Sequence, residues 1–412
     1  MRAYVGIDWS ASEIVCSTAG EIGEPRKIAG ANRTFTDVKE LIDRVGNRHP
    51  DASEIHVVIE AGAPGWVVML HHASAIVHVV DAQQAKAFAK SMSSSGAKDD
   101  RGDSIILTWL ARERCDRLPR WKPGSALSTQ LRELASLHET RTKERTAEIQ
   151  RLRSRLRESF PEFEAALDLR RKWTIHLLRH VPTAFDAAQL TRETFDELMS
   201  GCGACRTTLE KVWRVLEKVE APWLNQTTAA HLGFIIRNHV DEVERRTEQL
   251  REIDERLDVL TQDLESRELL ESVGGIGKKM SNRLLDLLFV DEIPTERDEA
   301  AIRLGAAPVF CGSGKTKKGR PKGIVKMRRT ASSRGRATAY LLGRLASQQL
   351  GWAKARYAHD MANGKNAARS YRNIARSLLR ILTAMLRTGE PYDDARYVAA
   401  LKANGVEWAM DL

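Results

Sequence analysis

Four acidic side chains stand where a chain could use them together. Asp8 closes the apolar run that begins at Ala3, and Glu60 closes the run His56-Val57-Val58-Ile59. Asp100 and Asp103 sit three residues apart, just ahead of Ile105, Ile106 and Leu107. Carboxylates at the ends of strands converge on one edge of an α/β sheet, where sites of that class form. Positions three apart share a face once the segment is helical. Four carboxylates at close quarters repel one another unless cations lie among them, and hard oxygen donors select Mg2+ or Mn2+. Two such ions can stabilise both the attacking and the leaving oxygen of a phosphodiester. The chemistry expected of Asp8, Glu60, Asp100 and Asp103 is therefore metal-assisted phosphoryl transfer. Each acid alone has a plainer reading, as a turn cap, a surface residue or a charge meeting a helix dipole. Their position at the ends of consecutive elements is what points to a metal site.

The formal charge is +10, and its distribution says more than its sum. From Ala301 to His359 there is no Asp or Glu, against 14 lysines and arginines, so the rest of the chain is net acidic. Solvated protein faces usually mix both signs. A one-sided segment suits a polyanion, because each Lys or Arg set on a phosphate releases condensed counterions. Lys315, Lys317, Lys318, Arg320, Lys322, Lys326, Arg328 and Arg329 are the expected nucleic-acid contacts.

Several elements must position these groups. Residues 3–8, 13–19 and 26–34 read as strands, followed by a helix over 36–48, a strand over 55–60, a helix over 65–73 and a strand over 76–80. This alternation implies an α/β domain over 1–120. Residues 121–268 read as a helical, coiled-coil region of long paired helices rather than a compact core. Ile236, Val243, Leu250, Leu257 and Leu264 recur every seven residues, with a weaker seam through Leu131, Leu134, Ile149, Leu152 and Leu156. The pairing could lie within one chain or between subunits. Residues 269–400 read as an all-α domain carrying the basic loop. It opens on Val273-Gly274-Gly275-Ile276-Gly277, a glycine turn between helices that could meet a phosphate or simply connect them. Helices are expected over 334–350 and 366–388.

At 412 residues the chain exceeds what one hydrophobic core usually supports. No apolar run approaches the roughly 20 residues of a membrane span. The opening residues enter a strand at once and lack the apolar stretch of a secretory leader, so a cytoplasmic protein is expected. Five scattered cysteines do not make a disulfide framework. Cys202 and Cys205 have zinc-ligand spacing but no second pair, and read as two small residues at a helix turn.

The same residues carry a family resemblance. Gly6-Ile7-Asp8-Trp9-Ser10, Ile59-Glu60-Ala61-Gly62 and Lys98-Asp99-Asp100-Arg101-Gly102-Asp103 resemble, in order, the acidic motifs of DEDD transposases of the insertion sequence 110 family. Gly305-Ala306-Ala307-Pro308, Ser313-Gly314-Lys315, Gly364-Lys365, Ala375-Arg376-Ser377-Leu378-Leu379 and Gly389-Glu390-Pro391-Tyr392-Asp393 resemble that family's C-terminal half. Gly102, Gly312 and Ser104 depart from it. The resemblance implies an RNase H-like, RuvC-like N-terminal domain with Asp8, Glu60, Asp100 and Asp103 as metal ligands. It also implies a nucleophilic Ser313, DNA as substrate, a bridge RNA that pairs with donor and target DNA, and a dimeric or tetrameric assembly. A phosphoserine ester would conserve the bond energy, so rejoining would need no ATP, and Lys315, Arg328 and Arg329 could offset charge on the phosphorane. The alternatives are a RuvC-like nuclease or junction resolvase with a water nucleophile, a sugar-kinase-like ATPase and a non-catalytic nucleic-acid-binding protein.

Overall fold

The run Ala3–Ile7 carries no charge and is buried along its whole length, as a strand covered on both faces must be. The computed structural model makes it the middle of a five-stranded sheet. It describes residues 1–9, 14–28, 34–62, 64–92, 100–221, 223–312, 324–328, 331–410 and 412, with the backbone alone at 64, 100, 101, 324 and 325. These fall into two units, Met1–Pro123 and Gly124–Leu412.

In the first unit β1 (Arg2–Trp9), β2 (Ile14–Ala19), β3 (Arg26–Ile28), β4 (Glu54–Glu60) and β5 (Ile76–Val80) pair in the order β3-β2-β1-β4-β5. β1, β2 and β3 are antiparallel neighbours, whereas β1, β4 and β5 are parallel and need helical crossovers. The first is α1 (Phe35–Arg48). Thr34 caps it by accepting from the Asp37 amide, and Val38, Leu41, Ile42 and Val45 form its buried stripe. With α2 (Pro64–His72) it covers the face built from Val5, Ile7 and Ile59. The opposite face, through Tyr4, Val58 and Val80, meets α3 (Ala82–Met92) and α4 (Asp100–Arg114) by way of Phe88, Leu107, Leu110 and Ala111. β3 ends at Ile28, short of the strand expected to run to 34, and residues 29–33 lie outside the described residues. α3 was not foreseen, because Ala85 and Phe88 are its only buried residues and leave no stripe to read. Ser91 and Met92 end α3, and 93–99 lie outside the description.

In the second unit α5 (Ala126–Ser159) and α11 (Gln226–Thr261) run antiparallel along one another. His138 meets Asp254, Glu144 meets Arg246 and Glu148 meets His239, partner numbers falling as the first rise. Ile236, Val243, Leu250 and Leu257 are buried as the heptad spacing requires, but Leu264 lies beyond the end of α11. Between the two long helices the chain forms α6 (Pro161–Ala166), α7 (Lys172–His180), α8 (Ala184–Ala188), α9 (Arg192–Leu198) and α10 (Arg206–Leu216). These close a compact core around Phe160, Phe163, Leu177 and Phe195, which long helix pairing alone did not predict. The short helices lack room for a repeating stripe, and capping side chains such as Thr183 mark their starts.

The remaining elements are α12 (Glu265–Glu271), α13 (Lys278–Leu284) continuing into a π turn, α14 (Glu299–Arg303), β6 (Val309–Cys311), β7 (Ile324–Lys326), α15 (Ser333–Gln349), α16 (Gly351–Ala362), α17 (Ala367–Thr388) and α18 (Asp394–Ala403). The segment is thus not all-α, since β6 and β7 form an antiparallel hairpin, and α16 and α18 join the two helices expected. Trp352, Leu342, Leu378 and Leu382 centre its core. α15 crosses α17 so closely at Gly343 that a Cβ there would stand 1.9 Å from the Tyr371 carbonyl oxygen.

Candidate active site

β1 and β4 run parallel in a register that pairs Ile7 with Ile59, so Asp8 and Glu60 are each the next residue on neighbouring strands. Strand alternation sets their Cβ atoms on the face of Gly6 and Val58, which is the face α4 covers. α4 reaches that face because residue 6 has no side chain. A Cβ on Gly6 would lie 2.1 Å from the Ser104 carbonyl oxygen and 2.4 Å from the Thr108 amide nitrogen. Thr108 then ties α4 to β2, with Oγ1 2.5 Å from Ser17 Oγ and donating to the Ser17 carbonyl at 3.1 Å. Asp103 precedes Ser104 in the chain, so the third acidic segment is held against the first by a backbone contact. Asp100 is the first residue of α4, and its side chain lies outside the description.

The first and second acidic segments meet as well. Gly62, two residues past Glu60, adopts φ 124°, a conformation L side chains rarely take, and a Cβ there would stand 2.7 Å from Cζ2 of Trp9. The Ala61 amide donates to the Val80 carbonyl at 2.8 Å, which anchors the end of β4 to β5. Gly6, Trp9, Gly62, Ser104 and Thr108 are the residues that sequence reasoning did not single out as positioning the acids. Two of them are glycines, whose demand for close approach leaves no periodic trace.

A buried thiol, Cys16, lies near Asp8. Burial, opposed by the Arg44 charge and reinforced by that of Asp8, pushes the Cys16 thiol up to about 12, so it stays protonated near neutrality. The donor set fits a divalent cation in kind, with hard carboxylate oxygens at two strand ends and on one helix turn. The fully buried Ser104 hydroxyl beside them has no hydrogen-bond partner among the described residues. No group of three His, Cys, Asp or Glu side chains able to hold a metal forms among those residues, which leave out the Asp100 side chain.

In the second unit Ser313 follows β6 by two residues, on the connection to β7. It lies outside the described residues, as do Lys315, Lys317, Lys318, Arg320, Lys322 and Arg329. Lys326 is exposed and Arg328 is half-buried. The other C-terminal motifs have structural work. Arg376 and Arg380 both grip Asp298 from α17, at 2.5 and 2.8 Å, and hold its carboxyl well below the usual range. Gly305, Gly364 and Gly389 end helices with φ near 70°. Tyr392 accepts from Trp352 Nε1 at 2.8 Å and donates to Asp394 at 2.6 Å. Cys205 starts α10 with its thiol 3.0 Å from Thr208 Oγ1 and is exposed, whereas Cys202 is half-buried.

No helix of the described residues is long and apolar enough to cross a membrane. Residues 5–161 match the profile of the DEDD family of insertion sequence 110, described as a transposase. A candidate transposase of Sinorhizobium fredii, y4uE, is 30% identical over 205 residues, which cover 48% of this chain and 56% of that protein. The chain thus spans little more than half the length of that curated relative. The matched stretch contains all three acidic segments and the contacts at Gly6 and Gly62 that join them. Over those residues the chain is similar to the insertion sequence 110 family of DEDD transposases.

Proposed function

We propose that this protein is a DNA strand-transfer enzyme in which the carboxylates of Asp8, Glu60, Asp100 and Asp103 form the metal-binding half of the active site and Ser313 supplies the nucleophile. The observation that carries the reading is the packing of the Asp103 segment on Gly6 and of Gly62 on Trp9, which draws three acidic segments to one edge of one sheet. Bound Mg2+ or Mn2+ would supply charge neutralisation on the phosphodiester oxygens. Ser313 Oγ attacks phosphorus, its proton leaves, and one strand departs with a free hydroxyl while the other is held as a phosphoserine ester. Attack by a second strand's hydroxyl on that ester forms a new phosphodiester and returns the serine. Lys315, Lys317, Lys318, Arg320, Lys322, Lys326, Arg328 and Arg329 hold the backbone, and a bridge RNA selects the sites in an oligomer of two or four chains. The N-terminal unit acts as the RuvC-like domain and the α5–α11 pair as the coiled coil, within boundaries of 1–120, 121–268 and 269–400.

The test is a cleavage and strand-transfer assay on the element's own ends, with covalent adducts read on denaturing gels. Asp8→Asn is expected to lose cleavage by at least roughly 100-fold while keeping DNA binding. Ser313→Ala should lose both adduct and joining. Joining that persists in Ser313→Ala, or free ends with no adduct in the wild type, would replace the serine with water. Joining unchanged after ribonuclease treatment would remove the guide.

A further inference from the structure

Two cavities of about 480 and 410 Å³ open side by side in the helical unit and share Glu139, Ser333 and Arg334 as a common wall. Their walls come from α5, α11, α13 and the first turn of α15, far along the chain from the acidic segments. Two of the carboxylates there are already engaged. Asp254 holds Lys279 at 2.5 Å and His138 at 3.3 Å, and Glu139 holds Lys143 at 2.8 Å. Asp286, with its side chain 2% exposed, lies against Arg334, but neither of its oxygens has a hydrogen-bond partner among the described residues.

Arg132, exposed and near enough for its charge to lower Asp291, and Arg283, half-buried, stand on the same walls, and neither makes an ion pair within 4 Å or a hydrogen bond among the described residues. Both act on Arg334, whose guanidinium is lowered from its ordinary value by burial first, with Glu139 opposing and the like charges of Arg283 and Arg132 adding to the lowering. At the same spot α15 begins. Ser332 caps it by accepting from the Gly335 amide, while the amides of Ser333 and Arg334 have no acceptor among the described residues. Surplus cations and free helix-end amides around a cavity call for an anion. The floor, from Ala135, Leu257 and Ala337, is apolar, and the space is several times larger than a phosphate ion needs.

We propose that this double cavity seats the sugar–phosphate backbone of a nucleic-acid strand. A phosphate lies between Arg132, Arg283 and the first amides of α15, and the sugar lies against the aliphatic floor. The one-sided charge of the chain between Ala301 and His359, which leads into α15, favours a strand over a small free anion. This rests on the reading of the chain as a nucleic-acid enzyme, yet it concerns a different place and is tested by binding alone.

The experiment measures binding of full-length protein to a labelled oligonucleotide of arbitrary sequence across a salt series, for wild type, Arg132→Ala/Arg283→Ala and Arg283→Glu. Arg192→Ala at the start of α9, which lines neither cavity and is paired with Asp196 and Glu210, is the control. Thermal melting establishes that each variant is folded. Losing two phosphate contacts should reduce the slope of log affinity on log salt by roughly 2 and weaken binding roughly tenfold or more near physiological salt, with the control unchanged. A wild-type slope in the double variant and in Arg283→Glu would overturn the proposal. So would displacement of the oligonucleotide by millimolar inorganic phosphate at constant ionic strength, which would assign the cavity to a small anion. If Asp8→Asn abolishes cleavage while these slopes stay as expected, both readings stand. If cleavage does not depend on Asp8, the active-site reading fails and the binding result keeps its meaning.

Discussion

Gly6 is where the acidic residues depend on a side chain that is missing. The atoms a Cβ would strike are backbone, the Ser104 carbonyl at 2.1 Å and the Thr108 amide at 2.4 Å, so no rotamer change relieves the clash and α4 as a whole must shift. Overpacking of this kind costs about 1–3 kcal/mol. Gly6→Ala should therefore lower the melting temperature and also displace Asp103, abolishing cleavage even in the molecules that remain folded. Gly46, inside α1 with nothing within 4 Å of its Cβ position, is the matched comparison. Gly46→Ala should stabilise by about 0.5–1 kcal/mol, because alanine costs less backbone entropy in a helix. Equal effects at the two sites, read by thermal denaturation, would show that the α4 contact does not constrain position 6. The strand-end acids were legible because apolar runs ending in a carboxylate are visible in a string of letters. The contacts that assemble them were not, since a glycine chosen for absence of bulk looks like any other.

At the scale of elements, legibility followed the length of the repeating stripe. α1 and the α5–α11 pair bury residues at helical spacing and could be read, while α3, α8 and the three-residue strands β6 and β7 have too few anchors to show a period. Leu264 was misplaced for a related reason, because a heptad count has no means of seeing that α11 stops at Thr261. Arg376 was visible as part of a motif, but its partner lies 78 residues away, a distance no local pattern spans. That partner, Asp298, clasps the start of α14 to α17. Its pKa is lowered by hydrogen bonds from Arg376 and Arg380, so its stabilising effect is complete above the ordinary value of 3.8 and is lost as pH falls below it. Asp298→Ala leaves two guanidinium groups without their carboxylate and, with the side chain a quarter exposed, should cost about 2 kcal/mol near neutrality. The gap between wild type and variant, followed by urea unfolding, should close on acidification through and below pH 3.8. A gap that persists there would mean that the clasp is not ionic.

At the scale of the whole molecule, the two units have separate cores, and buried histidines fall in the first. Glu54 Oε2 accepts from His56 Nε2 at 3.1 Å, His56 Nδ1 lies 3.1 Å from His78 Nε2, and His78 Nδ1 lies 3.2 Å from the Pro119 carbonyl oxygen. Both rings are fully buried. Burial is the leading cause that lowers both pKa values below 6.5, and the charges of Arg2 and Arg120 near His56, and of Arg120 near His78, act the same way while Glu54 opposes. His49, 3.1 Å from Thr18, is also lowered by burial. A base whose folded pKa is depressed leaves the unfolded chain to take protons first. The stability is thus whole above 6.5 and declines as pH falls below that value toward the folded pKa. Calorimetry of the full chain should show the transition of residues 1–123 moving down by several degrees between about pH 7.5 and about pH 5.5, at roughly 4 °C per kcal/mol. His56→Gln/His78→Gln should lower that transition at the higher pH and remove most of its shift. A wild-type transition that stays in place over the interval would mean that the rings take up protons equally in the folded and unfolded chain, and one that moves up would mean that they carry their proton in the folded sheet with Glu54 as counter-ion.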